Sequence, residues 1–316
     1  MKALDIVAQA LELIAALAAA PLFLGWVNQC RAWLQNRRAP SIWLPYRGIR
    51  KLFHKDAVIA ESASPLFRVA PYIVFGAMVV AAGIIPSMGT RLPFTVAADA
   101  IALVGLLATA RVFVSLAAMD IGTAFGTLGA RREMMVGFLA EPALLMIIFV
   151  ASIISSTTAL PAITENLATQ SLGLYPSLAF TAVAFTLVLL AENARIPIDN
   201  PATHLELTMI HEAMVLEYSA RHLALMEWAS ALKLFNYACI GFALFIPWGV
   251  QTGEGGPLAL LASIPLLAAK LAATGVGLAF IETISAKLRV FRAPEFLAVA
   301  FLLAVLGLLV HLLLGA

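Results

Sequence analysis

The sequence predicts an all-α, polytopic integral membrane protein. Hydrophobic residues make up 62% of the 316 residues and charged residues only 12%, whereas soluble domains are about half apolar and about a quarter charged. The mean hydropathy is +0.96. Apolar stretches of about 20 residues, the length that crosses a bilayer as a helix, recur along the chain. We therefore expect a single membrane domain over residues 1–316.

About eight stretches are apolar enough to form transmembrane helices. They lie near residues 3–26, 69–88, 97–118, 134–156, 173–193, 223–248, 258–281 and 295–314. The N-terminal run carries one lysine and is not followed by a convincing processing site. We therefore expect a membrane helix there rather than a cleaved signal peptide.

The distribution of Lys and Arg predicts the orientation. Fifteen of these residues fall in the four odd-numbered connections, and only Lys2 and Arg91 fall on the other side. Because cytoplasmic loops carry the excess of Lys and Arg, we expect the odd-numbered connections in the cytoplasm and both termini in the periplasm. The protein is then a multi-pass protein of the cytoplasmic (inner) membrane.

The first predicted helix and the connection after it carry several charged residues. Asp5 and Glu12 are one heptad apart on one face, and Glu12 is deep enough to face other helices. The connection combines prolines, aromatic residues and a short amphipathic helix through Phe53. Its basic residues include Arg37, Arg38, Arg47, Arg50 and Lys51. This segment fits either anionic lipid headgroups or a soluble partner protein.

Charged residues also occur inside the later predicted helices. Asp99 and Arg111 are too far apart to pair within the third helix, so each needs a partner from another helix. Arg132 and Glu133 are expected to cap and solvate the fourth helix, and Glu141 lies about two turns inside it. The sixth and seventh helices add Glu227, Lys233 and Lys270. So many charges in membrane segments indicate a proton or ion path, with a structural ion-pair network as the alternative.

The segment from Ala191 to Trp228 has the highest density of acids. It carries Glu192, Asp199, Glu206, Glu212, Glu217 and Glu227. A pair of prolines breaks the incoming helix. An amphipathic cytoplasmic helix is predicted from Ala202 onward, between the fifth and sixth membrane helices. Glu206 and Glu217, about three turns apart, project from the middle of its apolar face.

Two explanations account for acids on an apolar helix face. Buried carboxylates are costly unless they are paired or protonated. They either pair with arginines such as Arg195 and Arg221, or they form a connected path that exchanges protons. On the opposite face, His204, His211 and His222 have no compact metal-ligand spacing, so we expect them at a solvated or partner-facing surface.

The sequence offers no redox centre, nucleotide site or nucleophile. Cys30 and Cys239 are far apart, and an iron–sulfur cluster needs four ligands. No glycine-rich phosphate-binding motif is present. We therefore expect this chain to bind no cofactor, metal or nucleic acid itself.

These motifs resemble the subunit 1 family of respiratory complex I, the membrane subunit at the junction with the peripheral arm. The family pattern of an arginine nine residues before an acid is matched by Arg132 and Glu141. The other matching residues are Glu192, Arg195 and Asp199 in AENARIPID, Glu206 in HLEL, Glu217 in LEYS and Glu227 in MEW. The spacing between Glu206 and Glu217 is longer than in quinone-reducing complex I. In this spacing, and in the segments RRAPS, PYR and AKLRVFRAPEF, the chain is similar to the membrane subunits of group 4 nickel–iron hydrogenases, nearest the formate hydrogenlyase subunit 4 branch.

The resemblance implies a non-redox subunit of a membrane-bound hydrogenase. Soluble partner subunits on the cytoplasmic side would carry the iron–sulfur clusters and the nickel–iron site, and antiporter-like membrane subunits would move protons or sodium. The family acids would form a polar path of Glu141, Glu192, Asp199, Glu206, Glu217 and Glu227, supported by Arg132, Arg195, Lys233 and Lys270. Leu44 stands before Pro45 where relatives often have glutamine, which argues against a quinone contact in this loop.

Three alternatives stay open at this point. A quinone-binding subunit 1 of an NADH dehydrogenase-like complex would share the motifs. A stand-alone proton-coupled transporter would share the buried charges, but such folds often show internal repeats, and the acid-rich segment has no counterpart in the other half of the chain. A purely structural anchor would tolerate neutralisation of the buried acids.

Cysteine labelling in intact cells tests the predicted orientation. Because the basic connections are expected in the cytoplasm, cysteines placed at Gly48 or His211 should not react with an impermeant thiol reagent added outside. Labelling of either position from outside would contradict the orientation.

Overall fold

The computed structural model describes residues 3–90, 99–169, 176–199, 209–251, 257–286, 288 and 292–314. Within these ranges the chain forms eleven helices. They are α1 (Ala3–Leu34), α2 (Leu44–Phe53), α3 (Pro65–Ile84), α4 (Ala100–Asp120), α5 (Ala124–Ser155), α6 (Leu160–Thr169), α7 (Pro176–Glu192), α8 (His211–Val215), α9 (Ala220–Phe245), α10 (Pro257–Ile284) and α11 (Ala293–Leu314). The predicted all-α class is confirmed.

Seven of the described helices are long and apolar enough to cross a membrane, and α7 is a shorter apolar helix of 17 residues. These eight helices follow the order of the eight predicted spans. The multi-pass membrane class is therefore confirmed. The largest difference is the start of α5, at Ala124 instead of near residue 134, because the charge of Glu133 is paired inside the protein and does not end the helix.

Short polar side chains set the starts of α3, α4 and α5. Ser64 and Thr123 accept hydrogen bonds from the backbone of the first turns of α3 and α5. Asp99 does the same for α4, accepting from the N–H of Ile101 at 3.0 Å. The expectation that Asp99 pairs with another helix is therefore wrong, because its carboxylate caps its own helix.

The predicted short amphipathic helix through Phe53 corresponds to α2. Ile49 is buried, and the apolar side chain of Trp43, just before the helix, is exposed. All five basic residues named for this segment are exposed: Arg37, Arg38, Arg47, Arg50 and Lys51. The helix therefore presents a basic surface while a small apolar face packs on α1 and α9.

The helix predicted from Ala202 differs from the structure. Residues 200–208, including Glu206, lie outside the described residues. The described part is the five-residue helix α8, followed by a turn before α9. Tyr218 stacks on Phe67 with ring centroids 4.0 Å apart, and Ser219 Oγ hydrogen-bonds to both backbone groups of Val58. These contacts stabilise the turn, so the expected continuous helix is wrong there.

Helix α9 lies at the centre of the bundle. In its most apolar stretch 72% of the residues are buried, against 22% for α11. It packs against α1, α2, α3, α6, α7 and α10. Asn236 is fully buried and donates from Nδ2 to the carbonyl of Met78 at 2.9 Å, which ties α9 to α3. Polar side chains of this kind are typical links between membrane helices.

Glu12, which the sequence predicted to face other helices, contacts the segment that follows α3. Its carboxylate is buried, and Oε1 accepts hydrogen bonds from Ser87 N at 3.0 Å, Ser87 Oγ at 2.6 Å and Met88 N at 2.9 Å. One oxygen thus satisfies three donors of the segment that follows α3. Unpaired buried donors would each cost about 1–3 kcal/mol.

Substitutions at Glu12 should separate its acceptor role from its charge. We expect Glu12→Ala to lower the thermal stability of the purified protein clearly, because three donors lose their acceptor. Glu12→Gln keeps an acceptor oxygen and should lie close to the wild type. Equal loss of stability in the two variants would contradict this account.

Candidate functional site

Arg111 is the centre of a buried ion-pair network between α4, α5 and α7. Its Nε lies 3.3 Å from Oε1 of Glu133, its Nη1 lies 2.7 Å from Oε1 of Glu141, and its Nη2 donates to Oε1 of Glu192. The residue is 7% exposed. A guanidinium presents five donors in a fixed fork, so one arginine can hold three carboxylates. The expectation that Arg111 finds partners on other helices is confirmed.

The network continues through Glu192 to α9. Lys233 Nζ lies 3.0 Å from Oε2 of Glu192. Glu192 is the last residue of α7 and is 2% exposed. A buried carboxylate is stable only when its charge is balanced, and here one lysine and one arginine balance it.

In the other direction the network continues through Glu133 to His211 and Asp199. His211 Nε2 lies 3.2 Å from Oε2 of Glu133, and His211 Nδ1 lies 3.2 Å from Oδ2 of Asp199. The same Asp199 oxygen accepts from the backbone N–H of His211 at 3.1 Å. Burial lowers the pKa of His211, but the two carboxylates outweigh burial, and the pKa is raised above its ordinary value.

Two sequence-based expectations are wrong at this point. Glu133 is buried and paired rather than solvated at the helix start. His211 lies between two carboxylates rather than on a solvated surface, because the chain folds α8 back against α5. His222 is also buried, with its ring edge-on to Tyr72 at 5.8 Å.

Two features of α5 hold α8 in this position. Arg132 donates from Nη1 to the carbonyl of Met209 at 2.8 Å. Gly129 leaves room for the backbone, since a Cβ at that position would lie 2.8 Å from the carbonyl oxygen of Ile210. The absence of a side chain therefore permits a close approach that any other residue would obstruct.

A second ion-pair group lies around Glu282 of α10. Its Oε2 is 3.3 Å from Nη1 of Arg31, and its Oε1 is 3.1 Å from Nη1 of Arg195. Burial lowers the pKa of Arg195 below its ordinary value. Sequence reasoning missed Glu282 because it follows the predicted end of the seventh helix. Its signal was an acid at the end of an apolar run, opposite arginines in two other connections.

Both groups line one cavity of about 360 Å³. The charged residues that line it are Arg31, Arg111, Glu133, Glu192, Arg195, Asp199, His211, Glu212, Glu227, Lys233 and Glu282. The rest of the wall is largely apolar and includes Leu24, Val74 and Met78. The cavity therefore joins the polar connection before α8 to the interior of the helix bundle.

The structure brings together several of the acids that the sequence singled out. Glu141, Glu192 and Asp199 belong to the ion-pair network, and Glu227 lines the cavity from α9. Glu217 is exposed in the turn before α9. Its expected burial on an apolar helix face is wrong, because the helix does not continue through this position.

The supporting cations are divided between two places. Arg132, Arg195 and Lys233 lie at the network and the cavity. Lys270 instead donates from Nζ to the carbonyls of Ile246 and Trp248, both at 2.6 Å, at the end of α9. Lys270 therefore stabilises a helix terminus and does not contact the ion-pair network in the described residues.

Within the residue ranges that the structure describes, no group of three or more His, Cys, Asp or Glu side chains is arranged to hold a metal ion. The thiols of Cys30 and Cys239 are buried and do not form a disulfide. The chemical feature of the ion-pair network is a series of titratable groups in close contact.

Fold and site together define a polytopic membrane protein with a buried charge network at one end of the bundle. The chain belongs to the NADH dehydrogenase family, whose pattern it matches over residues 7–313. The predicted resemblance to the complex I subunit 1 family is thereby confirmed.

Two relatives from Escherichia coli (strain K12) lie in the hydrogenase branch. Hydrogenase-4 component C is 36% identical over 230 residues, which cover 72% of this chain and 71% of that protein. Formate hydrogenlyase subunit 4 is 33% identical over 283 residues, which cover 88% and 89%. The branch named from the sequence motifs is therefore confirmed.

A solved structure shares the fold. It is a chain of the membrane-bound sulfane sulfur reductase, an archaeal respiratory membrane complex, with a TM-score of 0.82 and 21% sequence identity. The match covers 96% of this chain and 99% of that one. At this identity the likeness shows a common fold.

Substitution of Gly137 should disturb the network from α5. A Cβ at this position would lie against Nη1 of Arg111 and 2.9 Å from its Cδ. We expect Gly137→Ala to displace the guanidinium and destabilise the protein by a few kcal/mol, as when a buried ion pair is broken. Thermal unfolding of the purified protein measures the effect.

Gly105→Ala on α4 is the matched control. A Cβ there meets no atom within 4 Å, and alanine is favoured over glycine inside a helix by about 0.5–1 kcal/mol. This variant should be as stable as the wild type or slightly more so. If Gly137→Ala is as stable as Gly105→Ala, the close packing of Gly137 on Arg111 does not contribute to the stability of the protein.

Proposed function

We propose that this chain is a non-redox membrane subunit of a complex I-like membrane-bound hydrogenase of the formate hydrogenlyase type. Its two E. coli relatives, a hydrogenase-4 component and a formate hydrogenlyase subunit, support the hydrogenase assignment. The observation that carries the mechanism is the unbroken series of contacts from the connection before α8 to α9. That series runs through Asp199, His211, Glu133, Arg111, Glu192 and Lys233.

The proposal places the redox groups on partner subunits. Soluble subunits with the iron–sulfur clusters and the nickel–iron site dock on the cytoplasmic side, against the exposed basic surface around α2 formed by Arg37, Arg38, Arg47, Arg50 and Lys51. Antiporter-like subunits adjoin in the cytoplasmic (inner) membrane, and lipid covers the remaining apolar surface. Both termini face the periplasm, since the basic connections then face the cytoplasm.

The acids link the partner subunits to ion movement. The path comprises Glu141, Glu192, Asp199, Glu206 and Glu227, and it is supported by the arginines and Lys233 around the cavity; Glu217, exposed in the turn before α9, is left out of it. In a low-dielectric interior, one added proton changes the energy of neighbouring charges strongly. A proton on Glu192 weakens its attraction to both Arg111 and Lys233. Protonation at the cavity is therefore felt on α4 and α9 together.

Neutral variants of path residues should test this function in the whole complex. When this chain carries an affinity tag, iron–sulfur proteins should be purified together with it, and the purified complex should evolve hydrogen from reduced methyl viologen. We expect Glu192→Gln and Glu227→Gln to assemble and evolve hydrogen. In inverted vesicles their internal acidification, followed with a pH-sensitive dye, should fall to the level of vesicles without the complex, because glutamine holds no titrating proton.

Glu12→Gln is the matched control, since Glu12 is a buried acid bound to a different part of the fold. It should retain full acidification. If Glu192→Gln and Glu227→Gln also retain it, the acids form a structural network and the path is wrong. A complex without iron–sulfur proteins or hydrogen evolution would contradict the hydrogenase assignment itself.

A further inference from the structure

We propose that His211 is the proton relay through which the acidic path is filled, because each of its ring nitrogens contacts a different carboxylate. This inference rests on the proposed function and adds to it a residue outside the acid motifs. Imidazole is suited to the role, since it can accept a proton on one nitrogen while it releases one from the other.

The contacts define the route of the proton. Asp199 Oδ2 lies 3.2 Å from Nδ1, and Glu133 Oε2 lies 3.2 Å from Nε2. A protonated Asp199 gives its proton to Nδ1, and the proton on Nε2 passes to Glu133. Asp199 is then a carboxylate, Glu133 is a carboxylic acid, and the neutral ring carries its proton on Nδ1. A tautomeric exchange resets the ring, so one proton has moved and no electron is needed.

Burial and position favour this route over a passive salt bridge. The side chains of Asp199 and Glu133 are 2% and 4% exposed, while that of His211 is 24% exposed. The ring is thus the most exposed member of the three and joins the carboxylate of the connection before α8 (the outer one, Asp199) to that of helix α5 (the inner one, Glu133), and it lines the cavity with both. Beyond Glu133, the guanidinium of Arg111, which stays protonated, holds Glu141 and Glu192 beside Glu133 as the next acids of the path.

The two sides of the ring differ in how firmly they are held. On the Nδ1 side, Oδ2 of Asp199 contacts both Nδ1 and the backbone N–H of His211. Arg132 donates to the carbonyl of Met209, two residues before the histidine. Nε2 and Oε2 of Glu133 are within ion-pair distance but are not aligned as a hydrogen bond. A small rotation of the Glu133 carboxylate completes the route, so the inner transfer is the step that can be gated.

The charges around the ring determine its pH dependence. Among the described residues, they come from the elements packed against it: Glu133 and Arg132 of α5, Arg111 of α4, Lys233 of α9, Asp199 of the preceding connection and the adjacent Glu212. Burial lowers the pKa of His211, and Glu133 and Asp199 raise it further than burial lowers it. The protonated ring is thus favoured below this raised pKa, and flux through His211 should fall as the pH rises through it.

His211→Gln in the complete complex tests the relay. Glutamine keeps hydrogen-bonding groups near both carboxylates but cannot carry the proton. We expect the variant to assemble and evolve hydrogen from reduced methyl viologen while acidification of inverted vesicles falls to the background. His222→Gln is the matched control, since His222 is buried beside Tyr72, and it should retain acidification.

A rescue experiment separates a relay from a structural role. In His211→Ala, added imidazole should restore part of the acidification. The alkaline limb of the pH profile should then move when a substituted imidazole of different pKa is supplied. If acidification is restored but the alkaline limb of its pH profile does not follow the pKa of the added base, His211 has a structural role and the proposal is overturned.

The outcomes distinguish this inference from the proposed path. Full acidification in His211→Gln with loss in Glu192→Gln would overturn the relay and leave the path intact. Full acidification in both would contradict the path as well. If His211→Gln fails to assemble, Asp199→Asn removes the outer carboxylate and keeps the histidine. Loss of acidification in Asp199→Asn is expected from both the path and the relay, and full acidification overturns the relay together with the place of Asp199 in the path.

Discussion

The buried guanidinium of Arg111 is the constraint on which the rest of the charge network depends. A cation inside a helix bundle in a membrane is costly unless acids surround it. Glu133 and Glu141 approach it from α5 and Glu192 from α7, so three helices must keep one relative position. Gly137 supplies the space for the guanidinium. The packing of α4, α5 and α7 and the electrostatics of the site therefore share one cause.

The network is also the means by which a loop is held to the membrane helices. Asp199 and His211 connect the segment before α8 to Glu133, and Glu282 joins Arg195 to Arg31 on the other side of the cavity. The connection is thus attached at both sides of the cavity by ion pairs rather than by apolar packing alone. Such contacts respond to protonation, whereas apolar contacts do not.

Similarity of fold and similarity of function carry different weight here. A chain of an archaeal sulfane sulfur reductase shares the fold at 21% identity, while the hydrogenase-4 and formate hydrogenlyase subunits are 36% and 33% identical to this chain. One helical scaffold thus occurs in complexes with different named chemistry. Function must therefore be argued from the site, where the paired titratable groups are the feature that needs an explanation.

The sequence by itself determined the membrane class, the order of the helices and the family, because apolar length and short motifs are local properties. It also identified Glu192 and Asp199, which lie in the acid motif. It could not place Glu133, His211 or Glu282, since whether a charge is buried depends on partners far away in the chain, such as Arg111 and Arg31. The exposure of Glu217 was likewise decided by tertiary contacts, because Phe67 and Val58 hold a turn where helical periodicity alone predicts a continuous helix.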